Sequence, residues 1–337
     1  MPLLDETFGI GELARLTGVP VRTIRFYCDE GIVDSVRSTG GHRRFDPAAV
    51  ERLGLVRRLR GLGLGLPSIR HVLDGERSVA EAVAVERAAL DVRIADLSWR
   101  RASLRAVEEA GPADRAGRLE LLAAVENGGA ARDALIDFWR RTLPAPVPGA
   151  VLTAFVAMAV PEPPADPTPP QVVAFAELFA LAGDRALTRI LLSMARADAE
   201  LVADRTALMN GIGEACALAR PLVRAGEPPR AGPELDRFVA AHAAVRGGGD
   251  TPRFRGRLLA HVAADRDPRM RRYWRLVAEA GGDASALGLA HLWLTDALER
   301  SVGGVGAGGA CGPTGPAGVG TARSAAGPPI AGAAPSG

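Results

Sequence analysis

Residues 78 to 109, SVAEAVAVERAALDVRIADLSWRRASLRAVEE, contain neither glycine nor proline, in a chain of 337 residues that carries 40 glycines and 25 prolines. An uninterrupted stretch of that length predicts one straight helix, roughly 45 Å long at 1.5 Å per residue. Within it Val83, Leu90, Leu97 and Leu104 recur at intervals of seven, with Val79, Ile94 and Val107 on the same stripe. A strict seven-residue repeat implies a supercoiling seam, which a helix docked only on its own domain does not need. The spacing therefore favours pairing with a second copy of the chain through Val83, Leu90, Ile94, Leu97 and Leu104.

Sharp punctuation surrounds shorter helical patterns ahead of that helix. In IGELARL, residues 10 to 16, Ile10, Leu13, Ala14 and Leu16 fall at helical spacing. TGVP then supplies Gly18 for a tight turn and Pro20 to open a second helix, so the pair reads as a helix-turn-helix. On the second helix Val21, Ile24 and Cys28 share one face and point to a small core, while Arg22, Arg25, Phe26 and Asp29 face away. Residues 32 to 46, IVDSVRSTGGHRRFD, place β-preferring Val33, Val36 and Phe45 on either side of Gly40 and Gly41, the pattern of a small β-wing. Two more helices follow. One is opened by Asp46 and Pro47, and the other has Pro67 in its first turn and Gly75 past its end.

Charge separates this region from the rest. The net charge of +2 is close to neutral, yet from Arg37 to Arg70 eight arginines face two acids. No lysine occurs, so all 41 basic residues are arginine. Arginine forks onto guanine O6/N7 or clamps a phosphate, and the hydroxyls of Thr23 and Tyr27 can bond phosphate oxygens. A helix-turn-helix presents such groups to the major groove of double-stranded DNA.

The run IGELARLTGVPVRTIRFYCDEGIV, with STGGHRRFDPAAVERLGLVRRLRGLGLGLPSIRHVL behind it, resembles the winged DNA-binding domain of the MerR family of bacterial transcription regulators. The resemblance covers about residues 8 to 75, and the helix at 78–109 stands where the family has its antiparallel dimerisation coiled coil. It implies DNA contacts at Arg22, Thr23, Arg25, Phe26, Tyr27 and Arg43, and more weakly at Arg44, Phe45 and Arg60. It also implies a homodimer on a near-palindrome inside a promoter. An effector-driven change would untwist and bend that DNA, with RNA polymerase engaged through the distortion. An allosteric coupling of this kind is worth about 1–3 kcal/mol. His42 stands where an aromatic is usual and reads as packing at the wing tip.

Beyond residue 112 the chain reads as successive Ala- and Leu-rich helices. Those expected from 184 to 220 are 184–209 and 211–220, with the break at Asn210. The fold class expected is mainly α: a winged helix-turn-helix over 1–75, a dimerisation helix over 76–111, an all-α effector or interaction domain over 112–301, and a disordered Gly/Ala/Pro-rich tail over 302–337. Trp139, Tyr273, Trp274 and Trp293 are the candidates for holding a small-molecule effector between helices. The rival readings of 112–301 are a protein-interaction module and a fused catalytic domain. Against the latter, the sequence holds no GxSxG, HExxH or phosphate-binding loop. Cys28, Cys216 and Cys311 lie far apart with no metal-binding spacing, so no disulfide, metal or cofactor is expected, and Cys216 has no basic neighbour in sequence to activate it. No leader pattern and no membrane-spanning run appears, which points to the cytoplasm.

Overall fold

The computed structural model describes residues 7–143, 148–281 and 286–306. A short strand β1 (Phe8–Gly9) leads into α1 (Ile10–Thr17) and α2 (Val21–Asp29). The wing follows as β2 (Val36–Arg37) and β3 (Arg43–Phe45), then α3 (Ala48–Gly61) and α4 (Leu66–Leu73). The sheet runs β1-β3-β2, antiparallel throughout, with Phe8 opposite Phe45 and Val36 opposite Arg44. The sequence reading found the hairpin but not β1, whose two residues are too few to show a period.

Gly18 closes α1 in the left-handed region, φ 67°, and its N–H donates to the Ala14 carbonyl at 2.9 Å. A side chain at that φ is strained, so the turn needs glycine. Leu13, Ile24, Ile32, Phe45, Leu53, Leu64 and Ile69 form the centre of the head's core. Asp46 Oδ1 accepts from the Ala49 N–H at 2.9 Å and caps α3 as expected.

The long helix is α5 (Val79–Glu108). A capping box fixes its start: Ser78 Oγ accepts from the Glu81 N–H and the Glu81 carboxylate accepts from the Ser78 N–H, so two otherwise unpaired donors are satisfied reciprocally. Ala82 joins the head's core, with Val83 packed against it. Near the other end Trp99, Ala102 and Ala106 are buried.

Ten further helices complete the described chain: α6 (Arg115–Ala123), α7 (Gly128–Thr142), α8 (Gly149–Ala159), α9 (Pro169–Ala182), α10 (Arg185–Leu201), α11 (Arg205–Arg224), α12 (Pro233–Val245), α13 (Pro252–His261), α14 (Pro268–Gly281) and α15 (Ala286–Gly306), with a 3₁₀ turn at Val262–Arg266. The architecture is mainly α, with the winged helix-turn-helix at its start. By contact the chain divides into two compact units, Met1–Arg196 with Pro268–Gly288 and Ala197–Asp267 with Leu289–Gly337.

In the first unit α9 is the hub, with α5, α6, α7 and α14 packed against it. Its Val172, Ala174, Phe175, Ala176 and Leu178 are almost wholly buried. Trp99 of α5 meets Phe175 edge-on, ring centroids 5.6 Å apart.

In the second unit α11 lies against α12. The break expected at Asn210 falls instead at residues 202–204: Asp204 Oδ1 caps α11 through the Ala207 N–H, and the helix runs through Gly211 and Gly213. A Cβ on Gly211 would stand 2.5 Å from the Ala241 Cβ. This glycine thus serves a close helix crossing, not a turn. Helix α15 continues through Gly306, five residues into the segment expected to be a disordered tail, and residues 307–337 lie outside those described.

Candidate nucleic-acid interface

The turn at Gly18 and the Pro20 that precedes α2 aim the second helix outward. Ile24 is buried, Val21 and Cys28 are half-buried, and Arg22, Arg25, Phe26 and Asp29 are exposed, which is the division of faces the spacing implies. Thr23 and Tyr27 sit at the margin, half-buried. The rings of Phe26 and Tyr27 lie 5.9 Å apart. The Tyr27 carbonyl accepts from the Ile32 N–H at 2.8 Å, which ends the helix and turns the chain into the wing.

The wing is tied to this helix by charge. An Arg43 guanidinium nitrogen lies 2.7 Å from Asp29 Oδ1, on the exposed side of both elements. Between wing and helix is an open cleft of about 720 Å³ whose lining includes Arg25, Asp29, Arg37, Ser38, His42 and Arg43. Three of those six side chains are arginines, against one carboxylate, so the cleft suits a phosphate. His42 is exposed at the tip and does not pack as expected.

Other members of the expected set are occupied elsewhere. The Phe45 ring is 1% exposed and belongs to the core, so it anchors the wing and has no surface to lay against DNA. Arg44 donates to both the hydroxyl and the carbonyl of Thr7, stapling the leading segment to the wing. An Arg60 nitrogen donates to the Leu64 carbonyl at 2.8 Å and an Arg57 nitrogen to the Thr17 carbonyl at 3.1 Å. Part of the local arginine excess therefore holds loops and helix ends together. Burial pushes the Cys28 thiol up from its ordinary value, opposed by the Arg43 charge and a hydrogen bond with Ser35.

Along α5, Leu90, Ile94, Leu97 and Leu104 are between 44% and 65% exposed and form one apolar row, with Val83 at its start half-buried against the head. Ion pairs Arg87–Asp91 and Arg105–Glu109 run along the same helix at i,i+4.

Of the four aromatic candidates for an effector, three come together. The Trp139 indole N–H donates to the Tyr273 hydroxyl at 2.6 Å, which in turn donates to the Ala159 carbonyl at 2.8 Å. Trp274 stacks 6.2 Å from Trp139, and Phe155 of α8 meets Trp139 at 4.8 Å. All three candidates are buried, and the Trp274 indole N–H has no hydrogen-bond partner. Trp293 belongs to the second unit, where its indole N–H donates to the Glu227 carbonyl at 2.8 Å. Among the described residues no group of three or more His, Cys, Asp or Glu side chains could hold a metal, and no helix is long and apolar enough to cross a membrane.

A helix-turn-helix with an exposed arginine-bearing second helix, flanked by a basic wing, defines a winged-helix DNA-binding protein. Two family descriptions match the chain, "MerR HTH family regulatory protein" over residues 8–76 and "MerR, DNA binding" over residues 50–110. The chain is similar to the HTH-type transcriptional regulator ZntR of Escherichia coli K12, 33% identical over 132 residues that cover 36% of this chain and 94% of that protein. It belongs to the MerR family of transcriptional regulators. It is also similar to the regulator HmrR of Rhizobium leguminosarum bv. viciae, 31% identical over 28% of this chain and 79% of that protein. Nodulation protein NolA of Bradyrhizobium sp. strain NC92 is 33% identical over 41% of this chain and 55% of that protein, so the chain spans about half the length of that relative.

Proposed function

We propose that the protein acts as a homodimer joined along α5, reads a near-palindromic promoter site with α2, and controls transcription by distorting that DNA under the influence of its C-terminal helices. The observation that carries this reading is the exposed row Leu90, Ile94, Leu97 and Leu104 on a helix whose first turns pack into the winged head. Full burial of such a side chain is worth about 1.5–3 kcal/mol, and these are about half exposed, so a second α5 covering the row gains roughly half of that per residue. Arg22, Thr23, Arg25, Phe26 and Tyr27 face the groove, and Arg43 takes a backbone phosphate, exchanging Asp29 for it. Arg44 and Arg60 act by holding the interface in shape.

Residues 1–75 form the reading head, 76–111 the coupling helix and 112–301 the effector domain, with 302–337 following it. The buried Trp274 N–H without an acceptor, beside Trp139 and Tyr273, supports an effector site there for a molecule that carries a hydrogen-bond acceptor. Trp293, whose N–H is satisfied, plays a structural part.

Two measurements on the purified chain test the proposal: sedimentation at micromolar concentration, and footprinting on the DNA flanking its own gene at physiological salt. The expected results are a dimer and protection of a near-palindrome between promoter elements. A monomer that binds DNA with no dyad in its footprint sinks the reading.

A further inference from the structure

The aromatic cluster on α7, α8 and α14 holds a polar group that the fold leaves unused, and its surroundings restrict what can pair with it. The Trp139 indole N–H is spent on the Tyr273 hydroxyl, and that hydroxyl on the Ala159 carbonyl. The Trp274 Nε1–H has no partner, on a side chain only 4% exposed. A buried donor left unpaired carries its full desolvation cost, which an incoming acceptor relieves. The indole is held in place from behind: a Cβ on Gly288 would overlap its ring, so the backbone at the start of α15 lies against it.

Trp139 meets Trp274 differently from its other neighbours. Phe138, Phe155 and Tyr273 contact Trp139 edge-on at 5.1, 4.8 and 5.3 Å, whereas Trp274 lies within 24° of parallel to it with centroids 6.2 Å apart. Two rings hold a third flat ring between them at about 7 Å, twice a carbon–carbon contact, so a small displacement admits one. The element beside Trp139 can give way. Helix α8 has Ala159 as its one buried residue, carries no charged side chain, and leaves Val151, Leu152, Val156 and Met158 half-exposed.

The cluster itself offers no charge. Burial pushes the Tyr273 hydroxyl well above its ordinary value, so it stays a neutral phenol. Arg272, next to it in sequence, pairs with Glu177 and Glu279, and Arg140 pairs with Asp137. A charged ligand would leave water for a place without a counter-ion. A cation can lie on the ring faces, but it brings no acceptor and sets its charge against the indole N–H.

We propose that this cluster binds an uncharged, flat aromatic carbonyl compound, with its ring between Trp139 and Trp274 and its carbonyl oxygen accepting from the Trp274 N–H. Helix α8 swings about its Ala159 anchor to let the compound in. The inference rests on the effector reading above and narrows it to one ligand class.

Equilibrium dialysis of the full-length protein against three tricyclic compounds of closely similar size tests it: xanthone, which carries the carbonyl, xanthene, which lacks it, and 10-methylacridinium, a cation. One xanthone per chain is expected, held at least about tenfold tighter than either of the others, as one hydrogen bond to a buried donor implies. Trp274→Phe keeps an aromatic ring and removes the donor, and should bring xanthone down to the level of xanthene. Equal retention of xanthone and xanthene overturns the proposal, as does a preference for the cation or the lack of saturable xanthone binding. A folded Trp274→Phe variant that still prefers xanthone overturns it too. Should that variant fail to fold, the ratio in the unmodified chain decides by itself. Failure in dialysis leaves the dimer and its footprint standing, and a monomer with no dyad in its footprint leaves the dialysis result standing, so the two readings fail separately.

Discussion

In the winged head the charged side chains that matter stand at the surface or clip one short element to the next, and the core beneath them is a small set of aliphatic residues around the fully buried Phe45 ring. In the helices after residue 112 the arrangement is inverted. Their most distinctive polar groups, the Trp139–Tyr273–Ala159 chain and the His291–Asp265 pair, are enclosed. A surface set like the first is built to meet a partner that brings its own charge. An enclosed set like the second is built either to fix one arrangement of helices or to respond when that arrangement opens. Substitutions in the head should therefore change DNA affinity and leave melting alone, and substitutions in the second unit should do the opposite.

The largest expected effect lies between the two, on α5. Replacing both Leu90 and Leu97 with arginine puts like charges across the seam and should convert the dimer to monomer. Two linked half-site contacts then become one, and affinity for a palindromic site should fall by roughly 10²–10⁴. Sedimentation and a titration at fixed salt read the two consequences separately. A dimer that survives the double change would mean that the heptad row is not the seam, and the contrast between head and body would lose its connecting element.

Next in size is Arg25→Ala. Arg25 is exposed on α2, lines the cleft beside the wing and has no role in the core. Its loss should cost about 1–3 kcal/mol of specific binding and relax base preference at one position, with no change in melting temperature. A drop in melting temperature would place Arg25 with Arg44, Arg57 and Arg60 among the arginines that hold the head together.

The same contrast explains what could be read from the sequence. The head was legible because its determinants are local: Gly18 and Pro20 set the turn, Asp46 caps the next helix, and the i, i+3, i+7 spacing of Val21, Ile24 and Cys28 sorts the faces. The capping box at Ser78 and Glu81 is equally local, yet the sequence reading of α5 rested on its glycine-free, proline-free heptads and passed over it. What escaped was any pairing across distance. Arg43 meets Asp29, 14 residues back, only because the wing folds onto α2. Trp139 meets Tyr273 across 134 positions, and His291 meets Asp265 from a different element, 26 positions away. Glycine has two physical uses in this chain: Gly18 bends the backbone, whereas Gly211, inside α11, lets two helices touch.

The smallest expected effect is a pH dependence confined to the second unit. The His291 imidazole is held at about 10 in the folded chain, above its ordinary value near 6.5. The folded state therefore binds a proton there that the unfolded state has released. The resulting stability is fully present below about pH 6.5 and is lost as pH rises through 10. Melting of the second unit should fall between pH 7 and pH 10, and His291→Gln should flatten that slope because the proton-binding group is gone. Specific DNA affinity at pH 7 should be the same for both proteins, since none of the groups involved belongs to the head. Equal slopes in the two proteins would show that the imidazole titrates alike in folded and unfolded chains, and the enclosed cluster would then have no more charge chemistry than the aromatic one.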